Sequence, residues 1–242
     1  MENPVVLYED NHVIVAIKPC NMLTQGDSTG DSDLLSWLKN YVKEKYEKPG
    51  EVYLGLVHRM DRPVGGLLAF ARTSKAASRL SDQVRVHELN RQYVCVVEGS
   101  TPDRFTYTDY LVKDEENNMV KVIPPYLKAQ GKEAVLHGCT IARRDGCSLV
   151  AIQLETGRAH QIRVQMQHAG FPLWGDNRYG NGKRGEQIAL WGMRLSFIHP
   201  ITKEQMLFIA PAPETKPWLM FERELKGLET IWPQIRPAVI TD

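Results

Sequence analysis

His58-Arg59-Met60-Asp61-Arg62-Pro63-Val64-Gly65-Gly66-Leu67-Leu68 is the stretch on which the architecture turns. Apolar, strand-like runs at residues 53–57 and 67–71 flank it, so it reads as a loop joining two strands. Pro63 biases Arg62 away from the helical region, and Gly65-Gly66 permits positive φ or a close approach of backbone to a ligand. The loop is therefore rigid. In an extended chain Arg59 and Asp61 project to the same side, with Arg62 adjacent, and positive neighbours favour an ionised carboxylate. Such an Asp61 suits a nucleophile or a positioned base and not a proton donor. A structural ion pair fastening the loop would account for the same residues.

Working outward, β-branched runs at 5–8 and 13–17 bracket a polar turn, which predicts an opening pair of strands. Asp33 can cap a helix running to Tyr46, with Leu34, Leu35, Leu38 and Val42 at helical spacing. Residues 74–88 read as a second helix with Ala76, Ala77, Leu80 and Val84 inward. Strands are predicted at 93–97, 120–123, 134–142, 148–154, 189–197 and 205–209, and a last helix at 215–224. Residues 99–109 read as an insertion. No repeat or low-complexity linker divides the chain, so a single domain over 1–242 is expected. It is α+β, with a mixed, mainly antiparallel sheet and flanking helices.

A second dense segment is Leu154-Glu155-Thr156-Gly157-Arg158-Ala159-His160-Gln161-Ile162-Arg163-Val164, continuing to Gly175-Asp176 and Tyr179-Gly180. Residues 160–168 are predicted helical, with Ile162, Met166 and Ala169 on one buried face and His160, Arg163 and Gln167 on another. A strand that ends at a glycine and enters a helix leaves backbone N–H groups for an anion. Arg163, one turn in, is placed to meet a phosphate or the carboxylate of Asp61. His160 reads as a core or capping histidine before a metal ligand, since no histidine lies at i+4.

With 43% hydrophobic and 24% charged residues the chain is a globular one, neither disordered nor fibrous. Its net charge of +1 gives no whole-molecule argument for nucleic acid. The distribution does. Residues 58–92 carry seven basic and three acidic side chains, as do residues 143–184, whereas residues 1–57 carry five against nine. Arginine dominates both basic blocks and suits bidentate phosphate contacts, although two solvated faces paired with acids would look the same. The four cysteines, Cys20, Cys95, Cys139 and Cys147, form no C-x-x-C pair and read as buried thiols of a reducing compartment. No signal segment or membrane span is visible, so a cytoplasmic protein is expected.

H-R-M-D-R-P-V-G-G-L-L resembles the catalytic motif of the RluA-type pseudouridine synthases, usually H-R-L-D followed by T-S-G-L. L-E-T-G-R-A-H-Q-I-R-V with G-D-N-R-Y-G resembles the family's later motif, and Y-E-D-N-H-V-I-V-A-I-K-P its first. Order and spacing agree from about Tyr8 to Pro211. The resemblance implies a catalytic domain with a central RNA-binding cleft; because the chain opens directly on the first catalytic-domain strand, the small N-terminal RNA-binding domain carried by many relatives is expected to be missing. The implied reaction converts specific uridines in ribosomal or transfer RNA to pseudouridine. By the same resemblance Asp61 is the catalytic carboxylate and Arg59 helps displace the target base. Tyr93 lies against the uracil, and Arg163 pairs with the aspartate. Arg62, Arg158, His160 and Lys18 are candidate RNA contacts. The sequence departs from the family pattern at Val64-Gly65, where Thr-Ser is usual, at Trp191-Gly192, where His-Ala is common, and at Cys20-Asn21-Met22.

Breaking the N1–C1′ bond, turning the uracil and rejoining through C5 is redox-neutral, so no cofactor and no metal are expected. The carboxylate either attacks C1′ or removes the 2′ proton. The expected partner is RNA alone, with no membrane, no obligate protein partner and a monomeric state. Two rivals remain: an RNA-binding module of the same fold without catalysis, and a metal-dependent hydrolase built on Asp61, His58 and His160.

Overall fold

Fifteen helices and strands follow one another in the computed structural model, which describes residues 3–235. They are β1 (Val5–Glu9), β2 (Val13–Lys18), α1 (Leu34–Lys45), β3 (Gly55–Leu56), β4 (Gly65–Ala71), α2 (Ser74–Arg85), β5 (Asn90–Glu98), β6 (Arg104–Asp114), β7 (Met119–Ile123), β8 (Lys132–Arg144), β9 (Cys147–Leu154), α3 (Gln161–His168), β10 (Leu190–Ile198), β11 (Gln205–Ile209) and α4 (Glu222–Thr230). The described residues divide into two compact units, one of residues 3–91 with 192–210 and one of residues 92–191 with 211–235. The α+β class with a mainly antiparallel sheet is as the sequence predicts.

In the first unit the strands run in the order β1-β2-β4-β10, with β11 on β10 and β3 on β4. Asp10 makes the β1–β2 turn by accepting the N–H groups of His12 and Val13, each at 2.7 Å. Strand β2, with no side chain of Val13–Ala16 exposed, reads Val-Ile-Val-Ala-Ile-Lys because both its faces are covered. Helix α1 starts where Asp33 accepts the Ser36 N–H at 2.9 Å, and it buries Leu34, Leu38 and Val42. Helix α2 starts on Thr73, which accepts the Ala76 N–H. The buried amide of Gln83 docks α2 onto β10, donating to the Ile198 carbonyl at 2.7 Å and accepting its N–H at 2.8 Å.

The second unit is an antiparallel ladder in the order β5-β9-β8-β6-β7. Leu111, Val120 and Ala134 from three of its strands pack with Val164 of α3. Cys139 and Ala151 pack with Ile235 and Trp232 of the C-terminal segment.

Three sequence expectations need correction. The strand expected at 53–57 shrinks to Gly55–Leu56, because β2 fills one edge of β4 and β10 shares the other. The presumed insertion at 99–109 contains most of β6, whose aromatic and polar residues alternate with period two: Phe105 and Tyr107 stack at 4.6 Å on one face, and Thr106 and Thr108 lie on the other. The final helix begins later than expected. Trp218 and Phe221 first turn inward through a 3₁₀ turn, Trp218–Phe221, whose three-residue repeat aligns them, and α4 follows.

The loop that carries Asp61 joins β3 to β4, and Gly66 decides how closely that strand can lie. Gly66 has φ of +125°, and a Cβ added there would stand 2.4 Å from the main-chain N and O of Gly192 on β10. Gly66→Ala should destabilise the protein by about 3 kcal/mol, lowering the thermal midpoint by about 6 to 12 °C, read by calorimetry.

Candidate active site

Asp61 stands half-exposed on a loop whose neighbours are sunk into the first unit. Met60 and Val64 are buried on either side of it, and the Val64 N–H closes a turn onto the Asp61 carbonyl at 3.1 Å. Buried Thr24 grips the main chain of Met60 at both ends, donating its hydroxyl to the Met60 carbonyl at 2.9 Å and accepting its N–H at 3.2 Å. The loop therefore has little freedom of its own, in agreement with the rigidity predicted from Pro63 and the glycines.

The strongest tether comes from Lys18, at the end of β2 directly opposite Gly66. Its side chain is fully buried, and the ammonium donates to the carbonyls of Pro19 (3.0 Å), Met22 (2.6 Å) and Arg62 (3.1 Å). Burial pushes its pKa down to about 8; nearby Cys20 and Asp61 oppose that shift and Arg62 adds to it. Lys18 was a candidate RNA contact by resemblance. The structure spends its ammonium inside, on main-chain carbonyls.

Arg62 is exposed but engaged, with Nε on the Asn21 carbonyl at 3.2 Å and Nη1 on Asp31 at 2.6 Å. Arg59 is exposed and makes no side-chain hydrogen bond or ion pair among the described residues. His58 is buried against β4, where its Nε2 accepts the Ala69 N–H at 3.2 Å. It therefore carries its proton on Nδ1 and supports the loop from behind.

The second unit assembles the other motif. Strand β9 runs into α3 through Thr156 and Gly157, and His160 enters the helix from a left-handed conformation with φ of 52°. Buried Gln161 secures that entry: its carbonyl oxygen accepts the Arg158 N–H and the Thr156 hydroxyl, each at 2.9 Å, and its amide donates to the Val135 carbonyl at 3.1 Å. Arg163 forks onto Asp176 with two bonds of 2.8 Å, both side chains being almost wholly buried. Burial alone would raise the Asp176 pKa, but the Arg163 guanidinium and the N–H groups of Arg178 and Tyr179 outweigh it and hold the carboxyl below its usual value. Tyr179 lies with its ring 5.0 Å from the Arg163 guanidinium, and its hydroxyl bonds to His160 Nδ1 at 2.6 Å.

Tyr93 sits on β5 opposite Ile152, almost buried. Arg158 is exposed, with Nε on the Glu133 carbonyl at 2.7 Å. The structure thus groups Lys18, Asp61, Arg59 and Arg62 in the first unit, and Tyr93, Arg158, His160 and Arg163 in the second. Sequence reasoning quoted Asp176 and Tyr179 within a motif without assigning them parts; their spacing from the helix hides that they are partners of Arg163. Among the described residues, no group of three or more His, Cys, Asp or Glu side chains is placed to hold a metal ion. No helix is long and apolar enough to cross a membrane.

Most arginines of the two basic blocks are occupied. Arg72 donates to the Asp10 carbonyl and Arg79 to that of Pro200. Arg143 pairs with Asp103, and Arg144 with Glu224. Two arginine-rich faces offered wholly to a partner are not what the fold builds.

The RNA pseudouridylate synthase family model matches residues 12–168, a span that contains Asp61, Tyr93 and Arg163. The chain is 33% identical to ribosomal large subunit pseudouridine synthase D of Zymomonas mobilis subsp. mobilis, over 86% of this chain and 69% of that protein. It is 36% identical to the uncharacterized RNA pseudouridine synthase YlyB of Bacillus subtilis, again over 86% and 69%. The solved structure of human RNA pseudouridylate synthase domain containing 4 matches in fold with a TM-score of 0.72, at 18% identity over 93% of this chain and 92% of that one.

Burial pushes the His58 pKa from 6.5 down to about 3, with Arg91 adding to the shift. The unfolded chain therefore takes up this proton before the folded one, so stability falls as pH drops from about 6.5 towards 3, by up to ~1.4 kcal/mol per pH unit from this group. Urea unfolding across that range should show the slope in the wild type and a shallower one in His58→Gln.

Proposed function

The chain belongs to the RNA pseudouridylate synthase family and isomerises uridine to pseudouridine in RNA, and on that premise we propose that Asp61 is the carboxylate on which the reaction depends. The observation that carries this is the mounting of Asp61. It is the half-exposed acid of a loop pinned by Thr24 and Lys18, with the unengaged guanidinium of Arg59 two residues away. A carboxylate already fixed in place meets the target sugar without losing freedom of its own.

The isomerisation exchanges the N1–C1′ bond for a C5–C1′ bond; C5 gives up its hydrogen and N1 gains one. Atoms and electrons balance without an external oxidant. Asp61 acts either by attack at C1′ or by taking the 2′ proton. The uracil must first leave its stack, which needs a cation to take its place and a flat surface to receive it. Arg59 supplies the first and Tyr93 the second. Arg163, oriented by its fork onto Asp176, supplies supporting positive charge, and Arg62, Arg158 and His160 are assigned to the RNA backbone.

Large-subunit ribosomal RNA is the substrate we put first, because the relatives from Zymomonas, Neisseria and Buchnera carry the ribosomal large subunit in their names; transfer RNA is the other outcome to test. A cytoplasmic, monomeric enzyme fits four free thiols, three of them buried. RNA transcripts tritiated at uracil C5 give the decisive assay. The wild type should release tritium, and Asp61→Asn should lose at least ~10³-fold in rate, with RNA affinity kept within about threefold. An active Asp61→Asn protein would remove Asp61 from the reaction.

A further inference from the structure

Between β7 and α3 of the second unit lies a groove of about 390 Å³ to which none of the roles assigned above belongs. Its floor is apolar: Val120 and Val164 are buried there together, and Val122 packs against them. Its rim carries Lys121, His168 and Arg178, with Gln167 between, and no Asp or Glu is among the lining residues. The rim arginine is aimed by its surroundings. Its Nη1 donates to the Asn118 carbonyl at 2.8 Å, and its own N–H is held by Asp176 at 3.0 Å. Lys121 and His168 are exposed and make no side-chain hydrogen bond among the described residues.

Tyr179 forms one wall and connects the groove to the site described above. Its hydroxyl accepts the Val120 N–H at 2.8 Å and bonds to His160, while its ring lies 5.0 Å from the Arg163 guanidinium. The exposed carboxylate of Asp114 lies within electrostatic reach of Lys121 but outside the lining, and an apolar floor under a rim with Lys121, His168 and Arg178 complements a flat base joined to a phosphate. A free anion would leave the half-buried Met119, Val122 and Tyr179 uncovered, and the volume suits a single nucleotide and not a duplex.

We propose that this groove receives one unpaired nucleotide of the substrate RNA, other than the target uridine, with its base against Met119, Val122 and Tyr179 and its phosphate against Arg178 and Lys121. The assignment rests on the RNA-isomerase function and names a subsite for it. The groove is then a determinant of which RNA is accepted, because only an RNA with a splayed nucleotide at the right distance can fill it.

Three variants test it with the tritium assay and with RNA binding measured over a series of salt concentrations. The charge reversal Lys121→Glu/His168→Glu should raise Kd and KM by about tenfold or more and flatten the log Kd against log salt slope by about one. Its loss should fall on KM more than on kcat. Arg178→Ala should act in the same direction, with Arg178→Lys recovering part of the affinity. Gln167→Trp fills the groove without changing charge, so it should raise KM while leaving the salt slope as in the wild type. Unchanged Kd and KM in a folded charge-reversal protein would overturn the proposal. So would a folded Gln167→Trp protein with wild-type affinity, since basic attraction alone would then explain the reversal. A wild type that binds RNA but releases no tritium would count against the isomerase function and leave the groove to be judged on Kd.

Discussion

One buried ammonium holds the Asp61 loop in register. Removing a lysine from water costs several kcal/mol, and the cost is offset only where donors meet acceptors of good geometry. Lys18 meets three, and they are the carbonyls of two different segments: Pro19 and Met22 after β2, and Arg62 in the loop that presents Asp61. Burial still lowers its pKa to about 8, against the opposing pull of Cys20 and Asp61. With the ammonium in place, Thr24 and the buried side chains of Met60 and Val64 have fixed positions to meet, and Gly66 can pass against Gly192.

Charge in this protein is spent mainly on architecture. The near-zero net charge conceals two basic blocks, yet their arginines bond largely to carbonyls and carboxylates of their own unit. Arg59 and Arg184, by contrast, are exposed without a side-chain partner among the described residues. Where an arginine is engaged within the fold it adds less to the salt-dependent, sequence-independent affinity, which grows with each phosphate neutralised. Selectivity then rests on shape and on a small number of placed contacts.

Local signals in the sequence were sufficient wherever the physics is local. Asp33 and the Leu34, Leu38, Val42 spacing give α1 almost to the residue, and the Pro63 and Gly65-Gly66 punctuation gives a rigid loop where one is found. The unbroken Val-Ile-Val-Ala-Ile run gives a strand covered on both faces. What stayed hidden depends on partners far along the chain. Strand β6 alternates correctly, but its polar residues resemble a loop until β8 pairs with it over Arg104–Leu111. The burial of Lys18 cannot be read from its type, since a lysine is normally exposed and its acceptors are main-chain carbonyls that exist at every position. Asp176, thirteen residues from Arg163, becomes its partner only once the segment after α3 has folded back.

The Lys18 arrangement also makes that amine an internal reporter. Burial lowers its pKa to about 8, so it gives up its proton more readily than a surface lysine, yet no reagent reaches it while the three carbonyls enclose it. Once the loop opens the amine regains the pKa of a solvated lysine, so its acylation counts openings of the Asp61 loop, local and global together.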